Sequence, residues 1–365
     1  MKIGLVVNPV AGMGGSVALK GTDGPDVLRE AIARGAKKVA PARAIAALSE
    51  IRKRGLDLEF VTATSEMGGD ELKAAGLRSS AVVTVPSRTS GDDTVRAVKA
   101  FIAEGAELIL FAGGDGTARD VLAAADASVP ILGIPAGVKM HSSVFAVTPE
   151  KVADAVAAFV AASRTRDAEV MDVDEEGVRE GIVRARLFGI AKVPDDPSSL
   201  QATKDSYHSP DAEDQAEEIA RYIGENMDGR TYYILGPGST TAAVVKHIGL
   251  EKTILGVDVV RNRRLEMRDA KESDLLTLED GDPARIVVSP IGAQGFFFGR
   301  GNQQISPRVI RKVGVENVIV IATPAKLLAT PELRVDTGDP ELDAEFRDHI
   351  KVVVGYGRRR LVRVA

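Results

Sequence analysis

The amino-acid sequence predicts an α/β protein in which an N-terminal doubly wound parallel sheet is followed by a second, mixed α/β domain. Short apolar runs alternate with helical apolar spacing through the first 165 residues, which is typical of a parallel sheet with helices on both faces. Glycine-rich turns follow two of these runs, at Asn8–Gly15 and Gly113–Thr117. Beyond residue 165 the apolar runs become shorter, and a further strand, turn and helix follow one another around Leu235.

Each element of the first domain follows from the spacing of its apolar residues. The predicted strands are Lys2–Val7, Leu56–Thr62, Ala81–Val85, Leu108–Ala112 and Ile131–Ile134. The predicted helices are Pro41–Lys53, Asp92–Ala103, Thr117–Ala125 and Pro149–Ala162, and Ser90 or Asp92 is expected to cap the second of them. The stretch 10–40 is rich in glycine and poor in large apolar residues, so we expect a long ligand-binding loop there.

The second domain is predicted from shorter runs. Its predicted strands are Val170–Val173, Gly181–Ala191, Thr231–Leu235, Thr253–Val260, Arg285–Ser289, Val318–Ala322 and Lys351–Val354, with helices over Asp211–Met227 and up to about Ile248. The strands on either side of the latter helix are expected to form a β-α-β unit. We expect one domain over residues 1–165 and a second over 166–345. A C-terminal strand within 346–365 could return to the first domain.

Composition narrows the class of protein. There are 47 Lys and Arg against 52 Asp and Glu, and the net charge of −5 argues against a general nucleic-acid-binding protein. No apolar run is long enough to cross a membrane, and Asn8-Pro9 breaks the first one too early for a signal peptide. The chain has no cysteine, and its four histidines do not have the spacing of a zinc site. We therefore expect a soluble cytoplasmic enzyme.

The strongest motif is Gly113-Gly114-Asp115-Gly116-Thr117, between an apolar strand and a helix. Such a turn directs backbone N–H groups and a helix N-terminus toward an anion, at the strand end where open α/β sheets bind ligands. The glycines would let the backbone approach the phosphates of a nucleotide, and Thr117 would add a hydroxyl. Asp115 would accept a proton from the attacking hydroxyl or hold Mg²⁺. The alternative is a tight turn in which Asp115 caps the helix.

A second candidate phosphate turn is Asn8-Pro9-Val10-Ala11-Gly12-Met13-Gly14-Gly15, directly after the first strand. It lacks the third glycine of a dinucleotide fingerprint, and the chain has no Gly-x4-Gly-Lys-Ser/Thr P-loop there. We expect phosphate contacts from four of its residues, namely Asn8, Gly12, Gly14 and Gly15. The alternative is an Asn-Pro turn at a strand end.

Another candidate turn is Gly236-Pro237-Gly238-Ser239-Thr240-Thr241, which has the same strand–turn–helix pattern. Ligand contacts are expected from Gly238, Ser239 and Thr240. The alternative is that Ser239 or Thr240 only caps the following helix.

Isolated polar residues complete the candidate site. Arg300 could clamp a phosphate and Asn302 could bind a polar substrate, the alternative being a hydrogen-bonded surface loop. Lys139 could neutralise phosphate charge or be a solvated lysine, and Asp258 could contact a ribose or a metal. The neighbouring run Phe296–Phe298 is most simply part of the core.

Several segments together resemble the ATP-NAD kinase superfamily, and more closely its AcoX-like branch (acetoin catabolism protein X and archaeal relatives). The matching segments extend over nearly the whole chain: Asn8–Gly15, Leu19–Gly24, Gly113–Thr117, Gly133–Met140, Gly236–Thr241, Gly299–Pro307 and Val335–Asp339. The Gly113–Thr117 motif by itself is shared with diacylglycerol and sphingosine kinases and with phosphofructokinase relatives.

The resemblance implies an NAD kinase-like fold and a small-molecule kinase with ATP and Mg²⁺ in a cleft between its domains. In that family the aspartate of the motif is implicated in activating the ribose 2′-hydroxyl of NAD, a role that falls here on Asp115. It also implies a small-molecule substrate (NAD or a related metabolite), NADP as product and a homo-oligomer. The family's Asn-Glu or Asn-Asp adenosine motif has no counterpart between Arg184 and Gln201. A kinase of another soluble polyol or cofactor metabolite is therefore an alternative, as is a nucleotide-binding regulator without turnover.

Overall fold

The structure is a computed structural model that describes residues 1–19, 25–125, 129–138, 140–173, 185–201, 212–279, 281–291 and 294–365. The chain divides into two compact units. The first contains residues 1–13 and 21–203, and the second contains residues 14–20 and 204–365.

The first unit is built on a five-stranded parallel sheet with the order β3-β2-β1-β4-β5. Its strands are β1 (Lys2–Val7), β2 (Glu59–Ala63), β3 (Ser79–Val83), β4 (Leu108–Gly113) and β5 (Ile131–Pro135). The predicted doubly wound parallel sheet is confirmed. Every residue of β4 is buried, as expected for a continuous apolar run that helices cover on both faces.

The helices of this unit are α1 (Pro25–Ala33), α2 (Ala40–Lys53), α3 (Gly69–Ala74), α4 (Gly91–Ala103), α5 (Asp115–Ala125) and α6 (Lys151–Ala162). Ser90 precedes α4 and its N–H donates to the Asp93 carboxylate (2.9 Å), which confirms the expected cap. The long loop expected over residues 10–40 is corrected, because α1 occupies part of it and begins at Pro25, a favourable first helical residue.

A two-stranded antiparallel sheet, β6 (Thr165–Val173) and β7 (Ala185–Pro194), completes the first unit. Because this hairpin packs against α5 and β5, the first unit extends to residue 203. The structural boundary therefore differs from the one expected near residue 165.

The second unit contains a nine-stranded mixed sheet with the order β10-β9-β8-β11-β13-β15-β16-β14-β12. Its strands are β8 (Tyr232–Leu235), β9 (Asp258–Arg261), β10 (Arg264–Met267), β11 (Ala284–Val288), β12 (Phe296–Phe298), β13 (Val318–Ile321), β14 (Glu332–Val335), β15 (Asp348–Gly355) and β16 (Arg358–Val364). Strands β8, β11, β13 and β15 are parallel.

Three expectations about this sheet are corrected. Strand β9 is antiparallel to β8, so the strands around the helix after Leu235 do not form a parallel β-α-β unit. Residues 253–257 are not part of a strand, and β9 begins only at Asp258. The C-terminal strands β15 and β16 pair with each other, and β15 pairs with β13, so they belong to the second sheet rather than the first.

The core of the second unit lies on both faces of its sheet. Its helices are α7 (Ala212–Glu225), α8 (Ser239–His247), α9 (Glu272–Leu275), α10 (Pro307–Val313), α11 (Pro324–Ala329) and α12 (Pro340–Glu345). Alternate strand residues face opposite sides, so Ile234 packs in one apolar cluster and Leu235 in another. The Phe296–Phe298 run is fully buried, which confirms it as core. None of the helices in the described ranges combines the length and apolar character needed to cross a bilayer.

The buried carboxyl group of Glu71, in α3, makes the stability of the fold depend on pH. Glu71 is 2% exposed, and its Oε2 has no hydrogen-bond partner in the described structure. Burial raises the pKa of Glu71 above its ordinary value. Folding therefore favours the protonated form, and Glu71 destabilises the fold increasingly as pH rises through the window between its ordinary and raised pKa.

The variant Glu71→Gln is expected to increase the free energy of unfolding at pH 7 by about 1 kcal/mol, because it removes a buried charge. Urea unfolding at pH 4 and pH 7 measures this, and the gain should shrink at the lower pH. Glu66→Gln, at an exposed position near the same helix, serves as the control and should change stability little. A loss of stability in Glu71→Gln at pH 7 would contradict the account.

Candidate functional site

The two predicted phosphate turns lie at the switch point of the first sheet. The chain leaves β1 toward β2 on one side and leaves β4 toward β5 on the other, while β1 and β4 are neighbours. In open α/β sheets, ligands bind at the carboxyl ends of the two strands that flank such a point. The segment Asn8–Gly12 follows β1, and Gly113–Thr117 contains the end of β4 and the start of α5.

Asn8 connects the two turns. Its Nδ2 donates to Thr117 Oγ1 (3.0 Å), and its backbone N–H donates to the carbonyl of Ala112 at the end of β4 (2.9 Å). Its Oδ1 accepts the Val10 N–H (3.3 Å), which closes a short turn after β1. The prediction that both motifs share one site is therefore supported for Asn8 and Thr117.

The glycines of these turns allow three loops to approach closely. Gly12 has a φ of +78°, and a Cβ there would lie 2.0 Å from the Ala136 carbonyl oxygen, in the loop after β5. A Cβ on Gly113 would lie 2.4 Å from the Thr117 side chain, and one on Gly114 would lie 3.2 Å from a backbone atom of that same loop. Packing thus requires glycine at Gly12 and Gly113, whereas at Gly114 a Cβ would only be tight. Gly114 and Gly116 are nevertheless half-exposed, which leaves that face of the turn open to a ligand.

Asp115 begins α5, and its buried carboxylate holds the loop after β5. Its Oδ2 accepts the His141 N–H (2.7 Å), while its Oδ1 accepts both the Ser142 N–H (2.9 Å) and the Ser142 hydroxyl (2.6 Å). Ser142 Oγ in turn accepts the N–H of Met171 in β6 (2.9 Å). The carboxylate is therefore fixed in orientation, and any reacting hydroxyl or metal ion must share it with these donors.

Sequence reasoning missed His141 and Ser142. They lie 26 and 27 residues after Asp115, in the loop that follows β5. No local sequence pattern links the start of a helix to a residue that far along the chain. The candidate phosphate ligand Lys139, two residues earlier, lies outside the described residues.

The chemistry available for a metal at this turn is limited. The described part of the chain has no cluster of three or more His, Asp or Glu side chains placed to hold a metal ion. A magnesium ion at Asp115 would need phosphate oxygens and water as its remaining ligands, which is how Mg²⁺ is usually bound with nucleotides.

Gly14 and Gly15 follow Gly12 by two and three residues. They belong to the second unit, where a short 3-10 helix spans Gly15–Val17. A Cβ on Gly15 would lie 3.1 Å from the side chain of Gln303. The chain thus passes from the first unit to the second between Met13 and Gly14, and the phosphate contacts expected from Gly14 and Gly15 stay a prediction.

The third candidate turn lies at the carboxyl end of β8. Gly238 has a φ of +119° and precedes α8, and its N–H donates to the Ile254 carbonyl (2.8 Å). Ser239 is exposed and Thr240 is buried, and neither was found to cap the helix. Instead, the Thr241 hydroxyl lies 2.7 Å from the Gly236 carbonyl and 2.9 Å from that of Gly238. The first turn of α8 therefore has no side-chain cap.

Arg300 and Asn302 have internal partners. The Arg300 guanidinium lies 2.9 Å from the Asp336 carboxylate, with both side chains 5% exposed, and 4.8 Å from the centre of the Phe296 ring. Asn302 accepts the Gly299 N–H (3.1 Å) and donates to the Phe297 carbonyl (2.8 Å). The structure therefore engages both side chains within the fold, and the expected phosphate clamp and substrate contact stay predictions.

Asp258 likewise has a local role. Its buried carboxylate accepts the backbone N–H groups of Thr253 and Asp269 (2.8 Å each). It fixes the loop that precedes β9, and the expected ribose or metal contact stays a prediction.

A doubly wound parallel sheet with a glycine-rich, aspartate-bearing turn at its switch point defines a class of nucleotide-binding α/β proteins. Two family models match the chain: the ATP-NAD kinase N-terminal domain over residues 3–164 and the ATP-NAD kinase C-terminal domain over residues 227–364. The chain belongs to the ATP-NAD kinase superfamily, a family of phosphotransferases that use ATP. The predicted NAD kinase-like fold is thereby confirmed.

Other comparisons add little. A search of curated proteins found no significant match. Among solved structures, a Listeria monocytogenes protein assigned as a UDP-N-acetylglucosamine 2-epimerase is 14% identical, with a TM-score of 0.24. That match covers 87% of this chain and 76% of the other.

The stability of an Arg300 variant tests whether the buried pair of Arg300 and Asp336 holds the fold together. Arg300→Met leaves the Asp336 charge buried without its partner, so we expect a loss of about 3–5 kcal/mol in the free energy of unfolding. Thermal and urea unfolding measure it, and the exposed Arg363→Met is the control. The opposite pattern, with stability retained and ATP affinity lost, would show that Arg300 serves a phosphate instead.

Proposed function

We propose that this chain is a kinase that transfers the γ-phosphate of ATP to the adenosine ribose 2′-hydroxyl of NAD and so forms NADP. The observation that carries the proposal is the position of Gly113–Thr117. The motif lies at the switch point of a sheet whose residues match the ATP-NAD kinase N-terminal domain. The match of residues 227–364 to the C-terminal domain of the same family supports the same activity.

The start of α5 supports binding of the ATP phosphates. Ala118 N–H makes the first intrahelical bond, to the Gly114 carbonyl (3.0 Å). The backbone N–H groups of Gly116 and Thr117, which precede that bond, have no intrahelical acceptor. The positive end of the helix dipole and the half-exposed glycines favour a polyanion at this place.

Asp115 is the proposed catalytic residue. Its carboxylate is oriented by three hydrogen bonds from a loop that β6 also holds, so it can receive or orient the acceptor hydroxyl with little reorganisation. The alternative role is as a ligand of Mg²⁺. When bound with ATP, that ion would supply neutralisation of charge on the transferred phosphoryl group.

A kinase of another soluble polyol or cofactor metabolite is the second candidate. The observation that favours it is the missing Asn-Glu or Asn-Asp motif between Arg184 and Gln201, which would otherwise contact the adenosine of NAD. This candidate uses the same donor site and differs only in the acceptor.

Asp115→Asn is expected to lower kcat by about 10²–10⁴-fold, the usual contribution of a positioned general base. An ADP-release assay under saturating ATP measures this. The variant also places an amide NH₂ group near N–H donors, so we expect a stability loss of about 1–3 kcal/mol, and the assay should be run where the variant is folded.

The matched control is Ser142→Ala, which removes the hydroxyl's hydrogen bond to the same carboxylate and the acceptor of the Met171 N–H, but keeps the charge of Asp115. Its kcat should fall by less than about tenfold, the equivalent of one ordinary hydrogen bond. Equal losses in Ser142→Ala and Asp115→Asn would show that Asp115 acts only as an anchor for the loop.

The acceptor is tested by ADP release with a panel of NAD, NADH and small polyols, after calorimetric titration with ATP and NAD. We expect NAD to give the highest kcat/KM. Preference for a polyol would favour the second candidate. Binding of ATP without ADP release for any acceptor would contradict a kinase and indicate a regulator without turnover.

A further inference from the structure

The second sheet has a switch point of its own. From β8 the chain passes through α8 to β9 on one side, whereas β12 and β13, which follow β11 in the chain, both lie on the other side, and β8 and β11 are parallel neighbours. The carboxyl ends of these two strands therefore flank a crevice of the kind that binds ligands in open α/β sheets.

A lysine with an unusual environment lies at this edge. Lys326 is in α11, the helix after β13, and its Nζ donates to the hydroxyl of Ser289 (3.1 Å). Ser289 directly follows β11 and is 3% exposed. The side-chain ammonium is thus placed over the end of β11, one strand away from the turn that follows β8.

The ammonium lacks a counter-ion within the described part of the chain. A protonated lysine has three donors, and Ser289 Oγ accepts one of them. Burial alone lowers the pKa of Lys326 to about 8, and no charged neighbour contributes. A partly buried cation without an anionic partner is costly, and an anionic ligand would remove that cost.

The neighbouring turn adds a second source of positive potential. Gly236 N–H donates to the Val287 carbonyl (2.9 Å), so the turn Gly236–Gly238 runs beside the end of β11. The first intrahelical bond of α8 is from Ala242 N–H to the Gly238 carbonyl (3.1 Å), which leaves the N–H groups of residues 239–241 without helical acceptors. Adjacent strands are about 4.8 Å apart, so the turn before α8 and Ser289 follow neighbouring strands at the same edge of the sheet.

We propose that Lys326 and Ser289, beside the start of α8, bind a phosphate group of the acceptor molecule. The identification of the ligand as the acceptor rests on the proposed function. The observations that support the anion site all come from residues of the second unit. Such a site would select an anionic acceptor, such as a dinucleotide or a polyol phosphate, over a neutral polyol.

The test is the reactivity of individual lysines toward trace acetic anhydride as a function of pH, quantified by mass spectrometry on the full-length protein. It is performed without ligand and with saturating inorganic phosphate, NAD or ATP. An anion bound at Lys326 should shift its titration midpoint upward by about one pH unit or more. Lys246, exposed in the last turn of α8, is the control and should not shift.

The NAD affinity of Lys326 variants tests the anion site independently of the labelling experiment. Lys326→Met should weaken NAD binding in calorimetry by about 10- to 100-fold, the loss of one charge-assisted hydrogen bond, whereas Lys326→Arg should retain most of it. Lys246→Met should bind NAD as the unmodified chain does. Because the labelling experiment uses the unmodified protein, it stays decisive if Lys326→Met fails to fold.

The outcomes separate the claims. A shift with phosphate or NAD supports the site, and a shift with phosphate alone points to a phosphate-bearing acceptor other than NAD. No shift with any of the three ligands overturns the site, and a shift with ATP alone overturns its assignment to the acceptor. A shift with NAD in a protein that never releases ADP would support the anion site while the proposed kinase function fails.

Discussion

The hydrogen bonds between the Asp115 carboxylate and the loop at His141 and Ser142 are the constraint on which the candidate site depends. They join the start of α5 to the loop after β5, and Ser142 extends the connection to β6. A carboxylate held in this way is oriented before any ligand binds. The same bonds explain why a substitution of Asp115 affects both stability and chemistry, and why a control that keeps the charge is required.

In both sheets, a polar turn lies at the carboxyl end of one of two neighbouring parallel strands. In each, the chain leaves two neighbouring parallel strands in opposite directions, and a glycine-containing turn follows one of them: Gly113–Thr117 in the first sheet and Gly236–Thr241 in the second. The first turn adds a carboxylate. The second follows β8, the neighbour of β11, after which Ser289 accepts a hydrogen bond from Lys326.

The sequence predicted the parallel sheet well, because buried strands are continuous apolar runs: β1 was predicted with its observed bounds, and β4 within one residue. It predicted the position of Asp115 for the same reason. It failed where the partner is distant in the chain. Arg300 looks like a phosphate clamp in isolation, but it pairs with Asp336, and no local spacing reveals that pair. Lys326 carries no motif, and only the fold places it next to Ser289.

The central claim, that nucleotide phosphates bind at the start of α5 within reach of Asp115, is tested most directly by a crystal structure with a non-hydrolysable ATP analogue. The account predicts phosphate oxygens within hydrogen-bond distance of the Gly116 and Thr117 N–H groups, with the Asp115 carboxylate beside the terminal phosphate. An analogue bound elsewhere, or a carboxylate directed away from the phosphates, would contradict it.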